Sequence, residues 1–551
     1  MSKIIGAAIG NCVHVAGVLS FLNLAQRLGH HTEFLGAAVG IDDLLRAVRE
    51  RDPDIVGVSY RLTPEVAREL FAELARRVNE EGPQGKRWVA GGTPPVCEAA
   101  REVGLFEAAF CGAEGADEVI AYLRGERVRQ APEDYGATLL ERLERKAPYP
   151  LLRHHFGRPT VDETVRGARQ IAQARVLDVL SIGPDQNAQE HFFRPEEMQP
   201  ELSGAGGVAL RSAQDLRAIY DATRTGNYPL LRIYSGTRDL VQWAELATAT
   251  IHNAWAAIPL CWYNTLDRRS NRPPAEAIAE NQQAIRWYAE RGIPVEINEP
   301  HHWSLREAHD TLSVAMAYVS AYNAKALGVR TYVSQYMFNT PATMWAAMDL
   351  AKMLAQAAVV ESLHDEGFTS IRQTRAGLLH FSTDPAVAKG QLAASTVVQL
   401  ALEPRIIHVV GFSEGDHAVT AEELIESCRI VDGVLRNASV GMVDLTADPA
   451  VRARKEKLMR QAQVTVAALR SLGNGGGDPL TDPATLARAI REGILDAPHL
   501  CGNPDAAGRL ATRVIEGGIE AVDLETGRPL TEEQRVERIL GCEPEVVNLF
   551  A

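Results

Sequence analysis

The sequence predicts an α/β protein in two parts, an open parallel sheet near the amino end followed by a (β/α)8 TIM barrel. Three observations predict it. The chain has 551 residues, which is more than one ordinary domain needs. Short β-branched runs alternate with amphipathic helices over residues 1–125. The same alternation continues over residues 149–440, a stretch long enough for a barrel, which usually takes about 250 residues.

The first 125 residues predict a Rossmann-like, flavodoxin-like sheet. Strands are expected at Lys3–Ile9, Thr32–Leu35, Ile55–Ser59 and Arg87–Ala90. Helices are expected at Val18–Leu28, Ile41–Arg51 and Pro64–Asn79. Unusual residues follow several of these strands, and the carboxyl ends of the strands are where open α/β sheets bind ligands.

Residues 126–148 are charged and interrupted by proline, which is typical of a linker, here with one exposed helix. The barrel is expected at 149–440, and residues 441–551 are expected to extend it. The clearest predicted barrel strands are Val176–Ser181, Pro229–Tyr234, Pro294–Ile297, Thr331–Ser334 and Ile406–Val410.

Composition narrows the class of function. The 57 basic and 71 acidic side chains give 57 − 71 = −14, a charge that disfavours nucleic acid as a partner. Seven scattered cysteines without CxxC spacing fit neither a disulfide framework nor a zinc site, so we expect a reducing cytoplasm. No apolar run is long enough for a membrane span, and the expected ligand is a small molecule.

Three short motifs follow successive strands of the predicted sheet. The segment Asn11–Gly17 reads NCVHVAG and places His14 at the first strand–helix junction, where Gly17 would let a bulky ligand approach. Ser59–Thr63 reads SYRLT after the next central strand, and Gly91-Gly92 follows the strand after that. A histidine alone at such a junction is most often a surface residue, so the evidence is the set of three.

With these motifs the region resembles the cobalamin-binding domain of methionine synthase and of the base-off mutases. The resemblance implies that His14 is the lower axial ligand of cobalt, that Ser59 meets the displaced dimethylbenzimidazole tail, and that Gly91 and Gly92 leave room for it. Gly17, Arg61 and Thr63 are expected to line the same site.

Two positions depart from the pattern of that family. Cys12 stands where the family has aspartate, and Arg61 stands where it has leucine. The aspartate normally accepts the second imidazole N–H and raises the basicity of the ligand. A thiol does this poorly, so weaker cobalt binding is expected. Cys12 as a cobalt ligand is disfavoured, because the neighbouring imidazole already suits that role.

The rest of the chain resembles the barrel subunit of adenosylcobalamin-dependent glutamate mutase. The matching segments are Arg232–Asp239, Asn253–Asn264, Asn298–Pro300, Val410–Glu414 and residues 487–508. The resemblance implies homolysis of a cobalt–carbon bond and migration of a group on a substrate held in the barrel. It also makes a homodimer the expected assembly.

The site residues of that family carry over only in part. Arg232 and Arg158 correspond to arginines that bind the substrate carboxylates, Tyr263 to an aromatic residue of the site, and Glu414 to the glutamate that holds the adenosine ribose. A third arginine and a catalytic-site glutamate have no counterpart. We therefore expect a small carboxylic or amino acid other than glutamate as substrate.

Two other functions remain open at this stage. One is a corrinoid-dependent methyltransferase, with a methyl donor in the barrel. The other is a non-catalytic cobalamin sensor or carrier, which the missing arginine, the missing glutamate and Cys12 would suit. The adjacent His301 and His302 are expected on a strand, where they would point to opposite faces, one of them towards the barrel mouth.

Overall fold

The structure is a computed structural model that describes residues 1–112, 114–126, 132–473, 475–542, 544–546 and 550. It divides into two compact units. The first comprises Met1–Asp134, Glu144–Tyr149 and Asp432–Met442. The second comprises Tyr135–Leu143, Pro150–Val431 and Val443–Ala551.

The first unit is an open, parallel five-stranded sheet with helices between its strands. Its strands are β1 (Lys3–Ile9), β2 (His31–Val39), β3 (Ile55–Ser59), β4 (Arg87–Gly91) and β5 (Ala108–Phe110). Its helices are α1 (Ala16–Arg27), α2 (Ile41–Arg51), α3 (Pro64–Glu81), α4 (Pro94–Val103) and α5 (Ala116–Leu123). The strand order β2-β1-β3-β4-β5 is the flavodoxin-like order, which confirms the predicted fold class.

Sequence patterns explain where these elements lie. Six of the seven residues of β1 and all five of β3 are buried, as their continuous apolar runs require of central parallel strands. Helix α2 has Asp42 and Asp43 in its first turn and Arg49 and Arg51 in its last, charges that complement the helix dipole. These elements bring the carboxyl ends of β1, β3 and β4 to one edge of the sheet.

The second unit contains eight parallel strands in the order β8-β7-β6-β13-β12-β11-β10-β9. The strands are β6 (Leu151–Phe156), β7 (Val179–Ile182), β8 (Leu230–Ile233), β9 (Ala256–Ile258), β10 (Val295–Ile297), β11 (Thr331–Phe338), β12 (Thr369–Ala376) and β13 (Ile406–His408). Backbone hydrogen bonds from Ala254 to Leu231 (2.9 Å) and from Ser235 to Ala257 (3.0 Å) link the β8 and β9 regions. The predicted barrel is thus confirmed.

Helices alternate with these strands along the chain. They are α6 (Leu139–Lys146), α7 (Val161–Ala174), α8 (Gln186–His191), α9 (Ala213–Ala222), α10 (Leu240–Ile251), α11 (Pro274–Ala289), α12 (Pro300–Ser304), α13 (Asp310–Ala326), α14 (Ala346–Glu361), α15 (Pro385–Gln399) and α16 (Ala421–Val440). Of the segment predicted as a linker, residues 127–131 lie outside the described residues. Its helix α6 buries Leu139, Arg142 and Leu143.

The carboxyl-terminal residues form α17 (Pro449–Ser471), α18 (Pro483–Glu492), the hairpin of β14 (Ala511–Ile515) and β15 (Gly518–Val522), and α19 (Glu532–Leu540). Helix α17 packs against α13 and α14, and α18 packs against α11. Buried charges anchor them: Arg454 donates to Asp310 (2.8 Å), and Glu532 lies 2.9 Å from His309.

The barrel interior changes from apolar to polar along the strands. An apolar cluster includes residues at or near the amino ends of several strands, namely Leu151, Val179, Leu230, Val333 and Ile406. Buried polar and charged side chains follow on the same strands. Barrel enzymes bind their substrates at the carboxyl ends of the strands, and the polar residues lie towards those ends.

One prediction of secondary structure was wrong. His301 and His302 lie on the short helix α12 and not on a strand. Both side chains are buried, and their rings stack with centroids 4.8 Å apart. The helix begins at Pro300, a residue that suits the first turn of a helix because it has no N–H to leave unpaired.

Candidate cofactor and substrate sites

His14 lies in the loop between β1 and α1, at the carboxyl edge of the first sheet. Its side chain is exposed, whereas Cys12 is buried. The Cys12 Sγ atom lies 3.8 Å from His14 Nδ1, within the range of a weak sulfur hydrogen bond. The thiol therefore occupies the position from which the family's aspartate would orient the imidazole.

A cavity of about 380 Å³ opens beside His14, within the first unit. Its walls are largely apolar and include Phe21, Leu24, Val89, Phe110 and Val119. Of the residues predicted to bind the cofactor there, the structure brings together His14, Gly17, Ser59, Arg61, Gly91 and Gly92 on its walls. Thr63 instead lies at the start of α3.

The glycines of this cavity serve different purposes. A Cβ atom at Gly17 would meet nothing within 4 Å, and one at Gly91 would meet nothing closer than 3.9 Å, so both positions border open space. A Cβ at Gly92 would lie 2.6 Å from the Tyr60 carbonyl oxygen and 2.6 Å from Val96 Cγ1. Gly92 is therefore required for packing, while Gly17 and Gly91 leave the cavity open.

Arg436 of α16 and Tyr149 also line the cavity, and the sequence motifs gave no indication of either. Arg436 donates to the carbonyl oxygens of Gly112 (3.0 Å) and Glu114 (3.0 Å) and to the carboxylate of Asp432 (2.7 Å). Burial acts to raise the pKa of Glu114, but hydrogen bonds led by that from the Cys111 N–H lower it overall. These contacts hold the loop after β5 in place.

Inside the barrel, Arg153 on β6 is the centre of a buried hydrogen-bond network. Its guanidinium donates to Gln373 Oε1 (2.8 Å), Gln335 Oε1 (2.9 Å) and Ser181 Oγ (3.2 Å). These partners lie on three other strands. Burial, followed by the charge of Arg232, lowers the pKa of Arg153. An anion placed here would relieve both effects.

Arg232, which the sequence predicted, lies on β8 and is fully buried. Its Nη2 atom lies 3.7 Å from Glu296 Oε2, and Arg153 Nη2 lies 3.9 Å from Glu296 Oε1. Two guanidinium groups therefore share one carboxylate. Arg232 Nε and Nη2 make no hydrogen bond to any residue that the structure describes. The arrangement has spare donors and spare positive charge for an anionic ligand.

Neutral imidazoles surround these arginines. The His155 ring stacks on Tyr234, with 4.3 Å between the ring centroids. The His408 ring lies edge-on to the His155 ring, with 4.5 Å between the centroids. Burial, followed by the charge of Arg153, lowers the pKa of His155 and His408 well below 6.5. Burial, followed by the charge of Arg375, lowers the pKa of His301 to about 3. These rings are therefore uncharged hydrogen-bonding groups at neutral pH.

The other predicted barrel residues lie on loops after the strands. Tyr263 follows β9 and is buried, and burial raises the pKa of its hydroxyl. Arg158 donates to the carbonyl oxygens of Ala418 (3.0 Å) and Val419 (3.5 Å). Glu414 accepts the Gly411 N–H (2.8 Å) in a short 3-10 helix, Phe412–Gly415, after β13. The roles of these residues in binding remain predictions.

The fold and the cavity define the first unit as a ligand-binding domain of the flavodoxin-like class. Residues 2–121 match the family model of the B12 binding domain. This match supports cobalamin as the cofactor of the domain, and it supports the cobalamin-binding resemblance stated from the sequence. No helix within the described ranges is long and apolar enough to cross a membrane.

Two solved structures are similar to the chain. One is a novel cobalamin-binding protein from Desulfitobacterium hafniense DCB-2, 27% identical over 20% of this chain and 52% of its own, with a TM-score of 0.18. The other is the cobalamin-dependent S-adenosylmethionine radical enzyme OxsB, 10% identical over 79% of this chain and 56% of its own, also with a TM-score of 0.18. The chain thus spans about half the length of each, and these TM-scores carry no argument about function.

The cavity fits the cofactor that the family match indicates. A dimethylbenzimidazole tail is a flat, largely apolar group. The cavity has apolar walls and open space beside Gly91 that such a group could fill. The exposed imidazole of His14 at its rim is a nitrogen ligand of the kind that cobalt accepts.

Proposed function

We propose that the protein is an adenosylcobalamin-dependent carbon-skeleton mutase that acts on a small carboxylic or amino acid other than glutamate. The observation that carries the proposal is the pair of buried guanidiniums inside the barrel, in a chain whose amino-terminal domain matches a B12-binding family. A cation-rich, enclosed barrel suits a small acid whose reaction must exclude water.

The amino-terminal domain would hold the cofactor. His14 would bind cobalt, Ser59 and the space beside Gly91 would receive the nucleotide tail, and Glu414 of the barrel would bind the adenosine ribose through its carboxylate. When bound, adenosylcobalamin supplies a weak cobalt–carbon bond whose homolysis starts radical chemistry. The protein residues bind, orient and shield; no acid–base step is assigned to them.

The barrel would bind the substrate through its carboxylate. Arg232 has donors that no described residue uses, and it would bind the carboxylate directly. Arg153, which hydrogen bonds to glutamines and a serine hold in place, would add positive charge beside it. His155 and Tyr234, which are hydrogen-bonded to each other, are uncharged. They therefore add polar groups beside the arginines without neutralising the positive charge of the guanidiniums. Arg158 and Tyr263 remain predicted substrate contacts. We also propose that the protein works without nucleic acid or membrane and assembles as a homodimer.

Incubation with each cofactor form tests this function. The purified protein would be mixed with adenosylcobalamin or methylcobalamin and a panel of small carboxylic and amino acids. We expect an organic-radical signal in electron paramagnetic resonance and an isomerised acid only with adenosylcobalamin. The variant Arg232→Met should abolish both, because it removes the free donors, while cofactor binding persists.

Two outcomes would contradict the mutase. Methyl transfer from methylcobalamin to an acceptor would establish a corrinoid methyltransferase. Cofactor binding without turnover of any acid, together with a ligand- or light-dependent change in association state, would establish a sensor or carrier.

Glu492→Gln, a change in an exposed ion pair with Arg488, serves as the control variant that should leave turnover unchanged.

A further inference from the structure

A second cavity, of about 470 Å³, lies in the barrel unit and is not used by the function proposed above. It is bounded by the loop after β9, by α12 and the residues after it, and by the segment that begins at Pro498. Five polar residues dominate its walls: Asp267, Arg268, Arg269, His302 and Arg306. His499, Cys501 and Asn503 also line it.

The cavity carries an excess of positive charge. Asp267 is paired with Arg306 (3.2 Å) and lies 4.0 Å from Arg269. Three guanidiniums against one carboxylate leave 3 − 1 = 2 positive charges. His302 adds none, because its imidazole is buried beside these arginines and stays neutral. A concave surface of this charge attracts anions.

Aromatic rings hold two of the guanidiniums in place. Arg306 Cζ lies 3.8 Å from the centroid of the Trp262 ring, and Arg269 Cζ lies 4.4 Å from that of Tyr263. Arg306 also donates to the His302 carbonyl oxygen (2.9 Å). Stacking restricts each side chain while leaving donors at the edge of the guanidinium, so less entropy is lost when an anion binds.

The backbone of this loop is strained. Tyr263 has a φ of 68° and Arg268 a φ of 60°, in the left-handed region that residues other than glycine, asparagine and aspartate seldom adopt. Strain of this kind persists where surrounding structure enforces it, and it concentrates at ligand sites. Here Arg268 lines the cavity, and Tyr263 stacks on Arg269, which also lines it.

One wall of the cavity contacts the hydrogen-bond network of the barrel interior through buried side chains. His302 stacks on His301, whose Nδ1 lies 3.3 Å from Gln335 Nε2. Gln335 Oε1 in turn accepts from Arg153. Contacts therefore run from the cavity wall to the arginine at the centre of the interior network.

We propose that this cavity binds a small ligand that carries two negative charges, such as a phosphate or a dicarboxylate. The inference is independent of the proposed function, because neither Arg153 nor Arg232 lines the cavity. Arg268, Arg269 and Arg306 would supply the positive charge that the ligand needs.

Calorimetric titration of the full chain tests this site. The probes are inorganic phosphate, succinate and acetate at low ionic strength. We expect phosphate or succinate to bind with a Kd in the millimolar range or below, and acetate to bind at least about tenfold more weakly, because one charge engages fewer guanidiniums. The preferred dianion then identifies the class of ligand: phosphate indicates a phosphorylated compound, and succinate a dicarboxylic acid.

The variant Arg268→Asn with Arg269→Gln should weaken binding of the preferred dianion by at least about tenfold. Asparagine tolerates the left-handed backbone at position 268, so folding is preserved. Arg291→Gln is the matched control, since Arg291 also stacks on an aromatic ring, Trp287 (3.8 Å), but lies outside the cavity. It should leave binding unchanged.

The inference is overturned if neither dianion binds, if acetate binds as tightly as either, or if the double variant binds as tightly as the unaltered protein. Failure of the proposed function is a separate result. Cobalamin binding, followed by visible absorbance, and turnover of acids do not depend on the titration with these probes, so a protein that binds cobalamin but no dianion would refute the anion site alone.

Discussion

The cavity of the first unit and the interior of the barrel are built in opposite ways. The cavity beside His14 exists because side chains are missing at Gly17 and Gly91, and its walls are mainly apolar. The interior of the barrel is lined by buried charged and polar side chains, led by Arg153 and Arg232, and hydrogen bonds hold Arg153 in place. The first region offers apolar space, and the second offers positive charge.

The largest effect should come from changing Glu296, the carboxylate that lies within 4 Å of both buried arginines. Glu296→Gln keeps the shape of the side chain but leaves the guanidiniums of Arg153 and Arg232 without an opposite charge. Breaking a buried ion pair costs about 3–5 kcal/mol of unfolding free energy. Urea unfolding followed by tryptophan fluorescence measures it, since six of the seven tryptophans lie in the second unit.

Glu492→Gln is the control for this change, because its exposed partner Arg488 should make it cost less than about 1 kcal/mol. If Glu296→Gln lowered the unfolding free energy as little as Glu492→Gln, the two arginines would not depend on this carboxylate. The barrel interior would then not be held by buried charges, as the comparison with the first cavity requires.

Filling the first cavity should affect binding and not folding. Gly91→Leu places a branched side chain where the nearest atoms to its Cβ are 3.9 Å away, so the apoprotein should lose no more than about 1 kcal/mol. Cobalamin affinity should fall by about 10- to 100-fold, because overpacking costs about 1–3 kcal/mol. Equilibrium titration by visible absorbance measures it, with Gly91→Ala as the smaller step. Unchanged affinity in Gly91→Leu would show that the tail binds elsewhere.

Acidification should destabilise the barrel through its buried histidines. The folded protein keeps His155, His301, His302 and His408 neutral, whereas the unfolded chain protonates them below about pH 6.5. The unfolding free energy should therefore fall as pH decreases from about 6.5 to about 4, by up to about 1.4 kcal/mol per pH unit for each histidine.

The variant His301→Asn tests this explanation. It should reduce the slope of the unfolding free energy against pH by the equivalent of about one proton. The side chains of Asp416 and Glu423 raise the pKa of His417, which is then protonated in both states below about pH 6, so His417→Asn should leave the slope unchanged between about pH 4.5 and 6. A slope that His301→Asn does not alter would mean that this imidazole is not kept neutral in the folded state.

The smallest effect is expected at Cys12, whose Sγ atom contacts the imidazole of His14. Cys12→Ala should change cobalamin affinity by less than about tenfold, because a sulfur contact of 3.8 Å orients the imidazole only weakly. Cys12→Asp should raise affinity by about tenfold, by supplying the acceptor that the family uses. Titration of both variants measures the difference, and a large loss in Cys12→Ala would assign the thiol a direct role.

The two regions also differ in how far the sequence could predict them. The first site is local: His14 follows β1, Ser59 ends β3 and Gly91 ends β4, and these three strands are neighbours in the sheet. Strands β1 to β4 and helices α1 to α3 were predicted to within about four residues, with β1, β3 and α2 at the observed bounds, whereas α4, β5 and α5 were not predicted. Arg436 escaped prediction because it is more than 300 positions away along the chain.

The interior of the barrel depends on contacts between distant strands. Arg232 was predicted from a motif, but Arg153, Gln335 and Gln373 were not, although each is a polar residue within a strand. Alternation along β6, where Arg153 and His155 are two residues apart, was the signal that could have indicated an inward-facing pair. The helix at His301 and His302 was missed because a proline there suits a helix start as well as a loop.

The most direct test of the account is the identity of the nitrogen bound to cobalt. The protein, labelled uniformly with 15N, would be loaded with unlabelled cobalamin, reduced to the Co(II) state and examined by electron paramagnetic resonance. Binding through His14 predicts doublet superhyperfine lines from 15N, and their loss in His14→Ala. Triplet lines, which arise from the 14N of the cofactor's own dimethylbenzimidazole, would contradict the central claim.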